Sequence, residues 1–162
     1  MNGPIKKIMV YIDGTEQSIT AAQYAICLSK AAGAELIALY VVNTRALSDL
    51  VKARIFLEVE QVEYQRDLIA DADKYLNHVK NLARQKGVAI ETESKSGTPY
   101  LEVKNAVIEH GIDLLVIGEL SHIRSRRDEF FNETERAMRN VPCSVLVVKD
   151  EERVWNLFEG LI

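Results

Sequence analysis

Four runs of apolar, mostly β-branched residues, at 8–12, 36–42, 114–117 and 145–148, contain no charged residue. A strand with one face in water alternates apolar and polar side chains. A strand in a parallel sheet covered by helices on both sides does not. The four runs therefore predict strands of a parallel sheet buried on both faces. A fifth run, 88–93, alternates more, with Val88, Ile90 and Thr92 set against Ala89, Glu91 and Glu93. That pattern places it at an edge.

Helical periodicity fills the intervals. From 15 to 32, Ile19, Ala22, Ala25, Ile26 and Ser29 recur on one face, and Gly33 stops the run. From 100 to 110, Leu101, Val103, Ala106 and Val107 do the same before Gly111, and 129–140 stops short of Pro142. Strand and helix alternate with short connections, so right-handed crossovers and a doubly wound sheet follow. The stretch 47–86 lacks Gly and Pro apart from its flanks. One stripe runs through Leu47, Leu50, Val51, Ile55, Val59 and Val62, and a stronger one through Leu68, Ala72, Leu76, Val79 and Leu82 or Ala83. A single straight helix of that span would reach roughly 60 Å, too long for the domain. A break near 56–61 is expected, leaving either two packed helices or a protruding arm or lid.

Composition narrows the function. The chain has 162 residues, 48% hydrophobic and 27% charged, with a net charge of −4. This is the usage of one globular domain, and it disfavours a duplex nucleic-acid binder, which carries a basic excess. Cys27 and Cys143 have no metal-ligand spacing and read as reduced, buried small hydrophobes in a cytoplasmic protein. No run approaches the ~20 apolar residues of a spanning helix, and no export signal is recognised, so no membrane partner is expected.

Familiar catalytic and cofactor motifs are absent. Ile12 is followed by Asp13-Gly14-Thr15-Glu16-Gln17-Ser18, not by a dinucleotide G-x-G-x-x-G, and there is no phosphate loop and no nucleophile elbow. His78, His110 and His122 sit on different elements without zinc spacing and read as surface histidines. No catalytic or metal-binding residue is assigned. What remains is topological. Open parallel sheets bind ligands beyond the carboxyl ends of the strands where the winding reverses. With strand order 3-2-1-4-5 that point lies between Asp13, ending the first strand, and Gly118, ending the fourth. Asp13 there either orients a ribose hydroxyl, a water or a metal, or caps the first helix.

The residues around these positions resemble the universal stress protein family. Val10-Tyr11-Ile12-Asp13-Gly14-Thr15-Glu16-Gln17-Ser18 is close to its V-x-x-D-G-S-x-x-S opening. Ser96-Gly97-Thr98-Pro99 is similar to its G-x-P turn, Asp113-Leu114-Leu115-Val116-Ile117-Gly118 to its D-L-I-V-M-G, and Asn140-Val141-Pro142-Cys143-Ser144-Val145-Leu146-Val147-Val148 to its last-strand block. The resemblance implies an α/β fold of the adenine nucleotide alpha hydrolase-like type over 1–149, a five-stranded doubly wound sheet, a homodimer through the last strand (Val145, Leu146, Val147, Val148), and ATP or AMP as the ligand of those members that bind one. Nucleotide binding would then involve Asp13, Val41, Val42, Gly118, Ser121, Arg124, Arg126, Arg127 and Asn132.

Members that bind ATP carry G-x-x-G-x(9)-G-[ST] after the fourth strand. Aligned from Gly118, the next three motif positions are Ser121, Phe131 and Asn132. Glycines let backbone amides close on phosphate oxygens, and Phe131 puts a large side chain where the loop should curl. Asp128, Glu129 and Glu133 suit a helix start but repel phosphate. Against that, Arg124, Arg126 and Arg127 could hold a phosphate by guanidinium forks, or form a solvated loop paired with those acids. The expectation is a non-enzymatic, dimeric stress-response module with weak or absent ATP binding. The alternative is an ATP/AMP switch using the crevice between strands 1 and 4.

Residues 150–162 lie beyond the resemblance and carry Val154, Trp155, Leu157, Phe158, Leu161 and Ile162. Such a segment is expected to form a short helix that buries Trp155 and Phe158 on the domain or a dimer partner. The competing reading is an exposed patch for another protein.

Overall fold

The computed structural model describes residues 3–53, 58–120 and 133–162. In chain order the elements are β1 (Lys7–Ile12), α1 (Glu16–Ala32), β2 (Glu35–Asn43), α2 (Thr44–Lys52), α3 (Glu58–Gln85), β3 (Glu91–Gly97), α4 (Pro99–His110), β4 (Leu114–Gly118), α5 (Glu133–Asn140), β5 (Ser144–Val148) and α6 (Glu151–Glu159). The five strands form one parallel sheet in the order β3-β2-β1-β4-β5.

Two-residue periodicity divides the apolar strands between two cores. Ile8, Val10, Ile12, Leu36, Ala38, Leu114, Val116 and Val148 pack with α1, α3 and α6. Met9, Tyr11, Ile37, Leu39, Val41, Leu115 and Ile117 face the opposite way, toward α4 and Ala137 of α5. Successive side chains of a strand point to opposite faces, so each run without polar interruption feeds both cores at once. At the start of β4, Asp113 ties two strands together: its Oδ2 accepts from the amides of Lys6 at 2.9 Å and Lys7 at 3.0 Å.

Three expectations are corrected. The edge strand β3 begins at Glu91, paired with Ile37, and runs to Gly97, whereas the apolar alternation pointed to 88–93. Val88 and Ile90 are half-buried against the α1/α3 core before the ladder starts; hydrophobicity marked the packing, not the pairing. The long segment divides into two helices, one of the two expected arrangements: α2 ends at Lys52 and α3 already runs at Glu58, inside the expected break at 56–61, while 54–57 lie outside the described residues. The early stripe is split: Leu47 at its start is buried, Val59 and Val62 at its end are 70% and 57% exposed, and Ile55 lies outside the described residues. The later stripe forms a buried face: Ala72, Leu76, Val79, Leu82 and Ala83 are buried. Third, His110 is half-buried and bonded to Glu93, with Nε2 to Oε2 at 2.7 Å, so it is not a free surface histidine. The two cysteines are free and half-buried.

The terminal helix α6 packs on α1 and adds to the core that Val148 of β5 enters. Asp150 adopts φ 63°, a left-handed conformation that Asp tolerates better than most residues, and caps α6 by accepting from the Arg153 amide at 3.2 Å. Val154 and Phe158 are buried. Lys86 donates to the carbonyls of Glu159 and Leu161, and its ammonium lies 4.9 Å from the centre of the Phe158 ring. Lys30 donates to the carbonyls of Lys86 and Ile162. Trp155, expected to be buried with Phe158, is 51% exposed. It lies about 100° round the helix from Val154, on the flank and not on the packed face.

Candidate functional site

The crevice forms where the sheet reverses its winding, at the carboxyl ends of β1 and β4. The turn after β1 needs φ +84° at Gly14, in the left-handed region that favours glycine. That turn brings Thr15, not Asp13, to the N-cap of α1, where its Oγ1 accepts from the Ser18 amide at 3.2 Å. Asp13 stands one layer out. Its Oδ1 accepts from the Thr15 amide at 3.0 Å and from Thr15 Oγ1 at 2.6 Å, and its Oδ2 accepts from Thr134 Oγ1 at 3.4 Å. Asp13 is thus both crevice wall and support of the cap. Together with Thr15, Ser18, Gly118, Leu120 and Thr134 it lines a pocket of about 110 Å³.

Gly118 has a packing reason of its own. A Cβ there would lie 2.5 Å from the carbonyl oxygen of Gln17. The end of β4 can approach α1 only because residue 118 has no side chain, whatever the crevice holds.

The surroundings are aromatic and acidic. Tyr40 and Tyr75 stack in parallel planes, with centroids 6.2 Å apart and 5° between planes. Both rings lie beside Gly14. Burial, then the carboxylate of Asp13, then Tyr75 and Asp71, push the Tyr40 phenol above its ordinary range. Tyr11, buried beneath the crevice, is pushed up further, chiefly by burial and then by Asp13, Glu133 and Tyr40. Glu133, in the first turn of α5, accepts from the Tyr100 amide at 3.3 Å. Arg136 lies 3.6 Å from Glu133 and stacks 4.3 Å above the centre of the Tyr100 ring. The arrangement offers hydroxyls, carboxylate oxygens and flat aromatic faces, and Arg136 is already engaged by the acid beside it.

The structure therefore brings Asp13 and Gly118 together as expected, and adds Thr15, Thr134 and the Tyr40–Tyr75 pair. Val41 and Val42 lie at the end of β2 with side chains 5% and 2% exposed, built into the cores. Ser121, Arg124, Arg126, Arg127 and Asn132, with Phe131, lie outside the described residues. Val145, Leu146 and Val147 are half-buried and Val148 is buried, on a strand that pairs with β4 alone among the described residues. Among those residues one group could hold a metal ion, Glu93, Glu109 and His110. It belongs to the β3 edge, two strands from β1, and Lys95 already lies 3.6 Å from Glu93 and 3.0 Å from Glu109.

An open doubly wound five-stranded sheet with its crevice between β1 and β4 defines the class, an α/β domain of the kind that takes ligands at a switch point. The comparisons with known proteins name the family. Residues 4–149 match the model of the universal stress protein family, and the chain belongs to that family. A universal stress protein of Methanocaldococcus jannaschii is 30% identical over 148 residues, covering 91% of this chain and 84% of its own. Among solved structures, universal stress protein UspA from Lactobacillus plantarum superposes with a TM-score of 0.72 at 22% identity, covering 91% of this chain and 100% of its own. Two further solved structures, at lower identity, hold a nucleotide. A universal stress protein in complex with cAMP has a TM-score of 0.68 at 18% identity, with 91% and 99% coverage. A family protein from Arabidopsis thaliana with AMP bound has 0.63 at 17%, with 91% and 94%. Residues 150–162 fall outside the family match.

Proposed function

We propose that the protein is a dimeric, non-enzymatic stress-response module of the cytoplasm whose crevice binds ATP weakly or not at all. The observation that carries this reading is the electrostatics at the end of β1. Asp13 has both carboxylate oxygens committed to Thr15 and Thr134, and Glu133 stands at the start of α5, where a phosphate would otherwise meet a helix N-terminus. With Ser121, Phe131 and Asn132 at the phosphate-loop positions, the supports a triphosphate needs are replaced by carboxylates and bulk. Titration calorimetry with Mg-ATP tests it: no saturable heat, or a Kd weaker than about 100 μM, is expected. Sub-micromolar binding would overturn the reading.

A second reading, an adenine-nucleotide switch, is favoured by the cAMP and AMP bound in two structural neighbours. A nucleotide with one phosphate asks less of the replaced loop, and the Tyr40–Tyr75 pair offers a planar apolar surface near it. AMP and cAMP in the same calorimeter distinguish the two. Saturable AMP binding lost in Tyr75→Ala and in an Arg124/Arg126/Arg127→Ala triple variant would establish the switch.

The dimer proposal rests on β5. Its outer side carries an apolar strand, and two-fold pairing of one strand with its copy gives a closed, self-complementary interface. Sedimentation equilibrium at tens of micromolar is expected to give twice the chain mass.

A further inference from the structure

The terminal helix α6 packs on α1 without closing against α3. Between the three helices runs a groove of about 860 Å³. Ile19, Leu82 and Phe158 line it as an apolar floor, and Trp155 stands at its side, 51% exposed. Four carboxylates surround it, Glu16, Glu151, Glu152 and Glu159, and no lysine or arginine lines it. None of the four forms an ion pair among the described residues. Three of them sit in first helical turns, where the helix dipole favours acids. Glu159 sits in the last turn of α6, where the dipole disfavours one, so the dipole does not account for the whole set.

We infer that this groove is a docking site for a cationic amphipathic helix of a partner protein. An apolar channel between helices receives the apolar stripe of another helix, with anchors at i, i+3 or i+4. The α1 contribution runs from Glu16 to Gln23 and the α3 contribution from His78 to Gln85. Each spans roughly 10 Å at ~1.5 Å per residue, which accommodates about two helical turns. Trp155 is suited to be the anchor, since tryptophan is among the residues that carry most binding energy once an interface desolvates them. The acidic rim selects for lysine and arginine beside the stripe and against an anionic membrane surface. The groove depends on residues 150–162, so it is a feature this chain adds to the family domain.

Trp155 is the only tryptophan and reports on the groove directly. The probe is a synthetic, tryptophan-free helical peptide with leucines on one face and lysines on the other. Its counterpart carries glutamates in place of the lysines. The lysine peptide is expected to shift Trp155 emission to the blue, saturably and more weakly as salt rises. A Glu151→Lys/Glu152→Lys double variant is expected to lose at least about tenfold in affinity, ~1.4 kcal/mol. A Glu60→Lys/Glu63→Lys variant, with the same change in charge on the exposed start of α3, is expected to bind as the parent does. No emission change, an equal response to the glutamate peptide, or an equal loss in both double variants overturns the proposal. So does a blue shift produced by protein concentration alone, which identifies a second copy as the occupant, or one produced by phosphatidylserine vesicles and not by the peptide, which identifies a membrane.

Discussion

The two edges of the sheet are built on opposite principles. At β3 the chain places Glu91, Thr92, Glu93, Ser94, Lys95 and Ser96, with Glu93 paired to His110 and Lys95 to Glu109 of α4 and to Glu93. At β5 it places Val145, Leu146, Val147 and Val148 behind Ser144. Charged side chains blunt an edge against pairing with another chain, and a flat apolar strand invites it. One edge is therefore finished by its own residues. The other stays apolar: among the described residues β5 pairs with β4 alone, while α6 packs on α1 and buries Val154 and Phe158 in the core that Val148 also enters.

The largest effect is expected where α6 closes the core beside that edge. Phe158→Ala removes a side chain 1% exposed and should cost about 3–5 kcal/mol, a fall in Tm of roughly 10 °C. Trp155→Ala, from the same helix, should cost less than about 1 kcal/mol, since half of that ring already meets water. Thermal melts of the two variants test whether α6 acts as a seal through one aromatic or through both.

Next comes the edge itself. Val145→Lys places a charge on the strand proposed to pair with its copy and should weaken the dimer by at least about 100-fold, each tenfold being ~1.4 kcal/mol. The folded monomer should persist, as checked by sedimentation together with circular dichroism. The reverse exchange sharpens the contrast: Thr92→Val with Ser94→Val should make β3 resemble β5 and cause association that grows with protein concentration. A mass unchanged by either exchange would show that edge composition does not decide pairing here.

The fold was legible wherever burial on two faces suppressed polar residues, and less so elsewhere for the same reason. Ile8, Met9, Val10, Tyr11 and Ile12 could hardly be anything but a central strand. The edge strand β3 keeps one side toward solvent, so its ladder runs through Ser94 and Ser96, which carry no apolar signal. The crevice was legible as a place, because strand order alone puts Asp13 beside Gly118. Its contents were not. Thr134 reaches Asp13 from 121 residues along the chain, and Tyr40 meets Tyr75 only because α3 crosses the end of β2. Such pairs leave no local pattern. Trp155 shows a further limit: apolar content announced a docked helix, but a ring on its flank remains half in water.

The smallest expected effect separates the carboxylates of the β3 edge from the one at the sheet's centre. Glu109 is held below its ordinary 4.5 first by its hydrogen bond to Lys95, a side-chain ion pair at the surface that salt screens. Asp113 is held below its ordinary 3.8 first by the amides of Lys6 and Lys7, which belong to the backbone and keep their partner at any ionic strength. Both folded pKa values are depressed, so the stabilisation each acid contributes is complete above its ordinary value and is lost as pH falls through its lower folded value. Asp113→Asn keeps the shape and an acceptor oxygen while removing the charge. It should lower Tm at pH 7, and the difference from the parent should shrink as pH falls below 3.8 and through the depressed folded value. Adding salt at pH 7 should narrow the gap between parent and Glu109→Gln while leaving the Asp113→Asn gap in place. Melts over pH and salt decide it: an Asp113→Asn gap that does not shrink as the carboxyl is protonated would mean that the side chain's packing, and not its charge, ties β1 to β4.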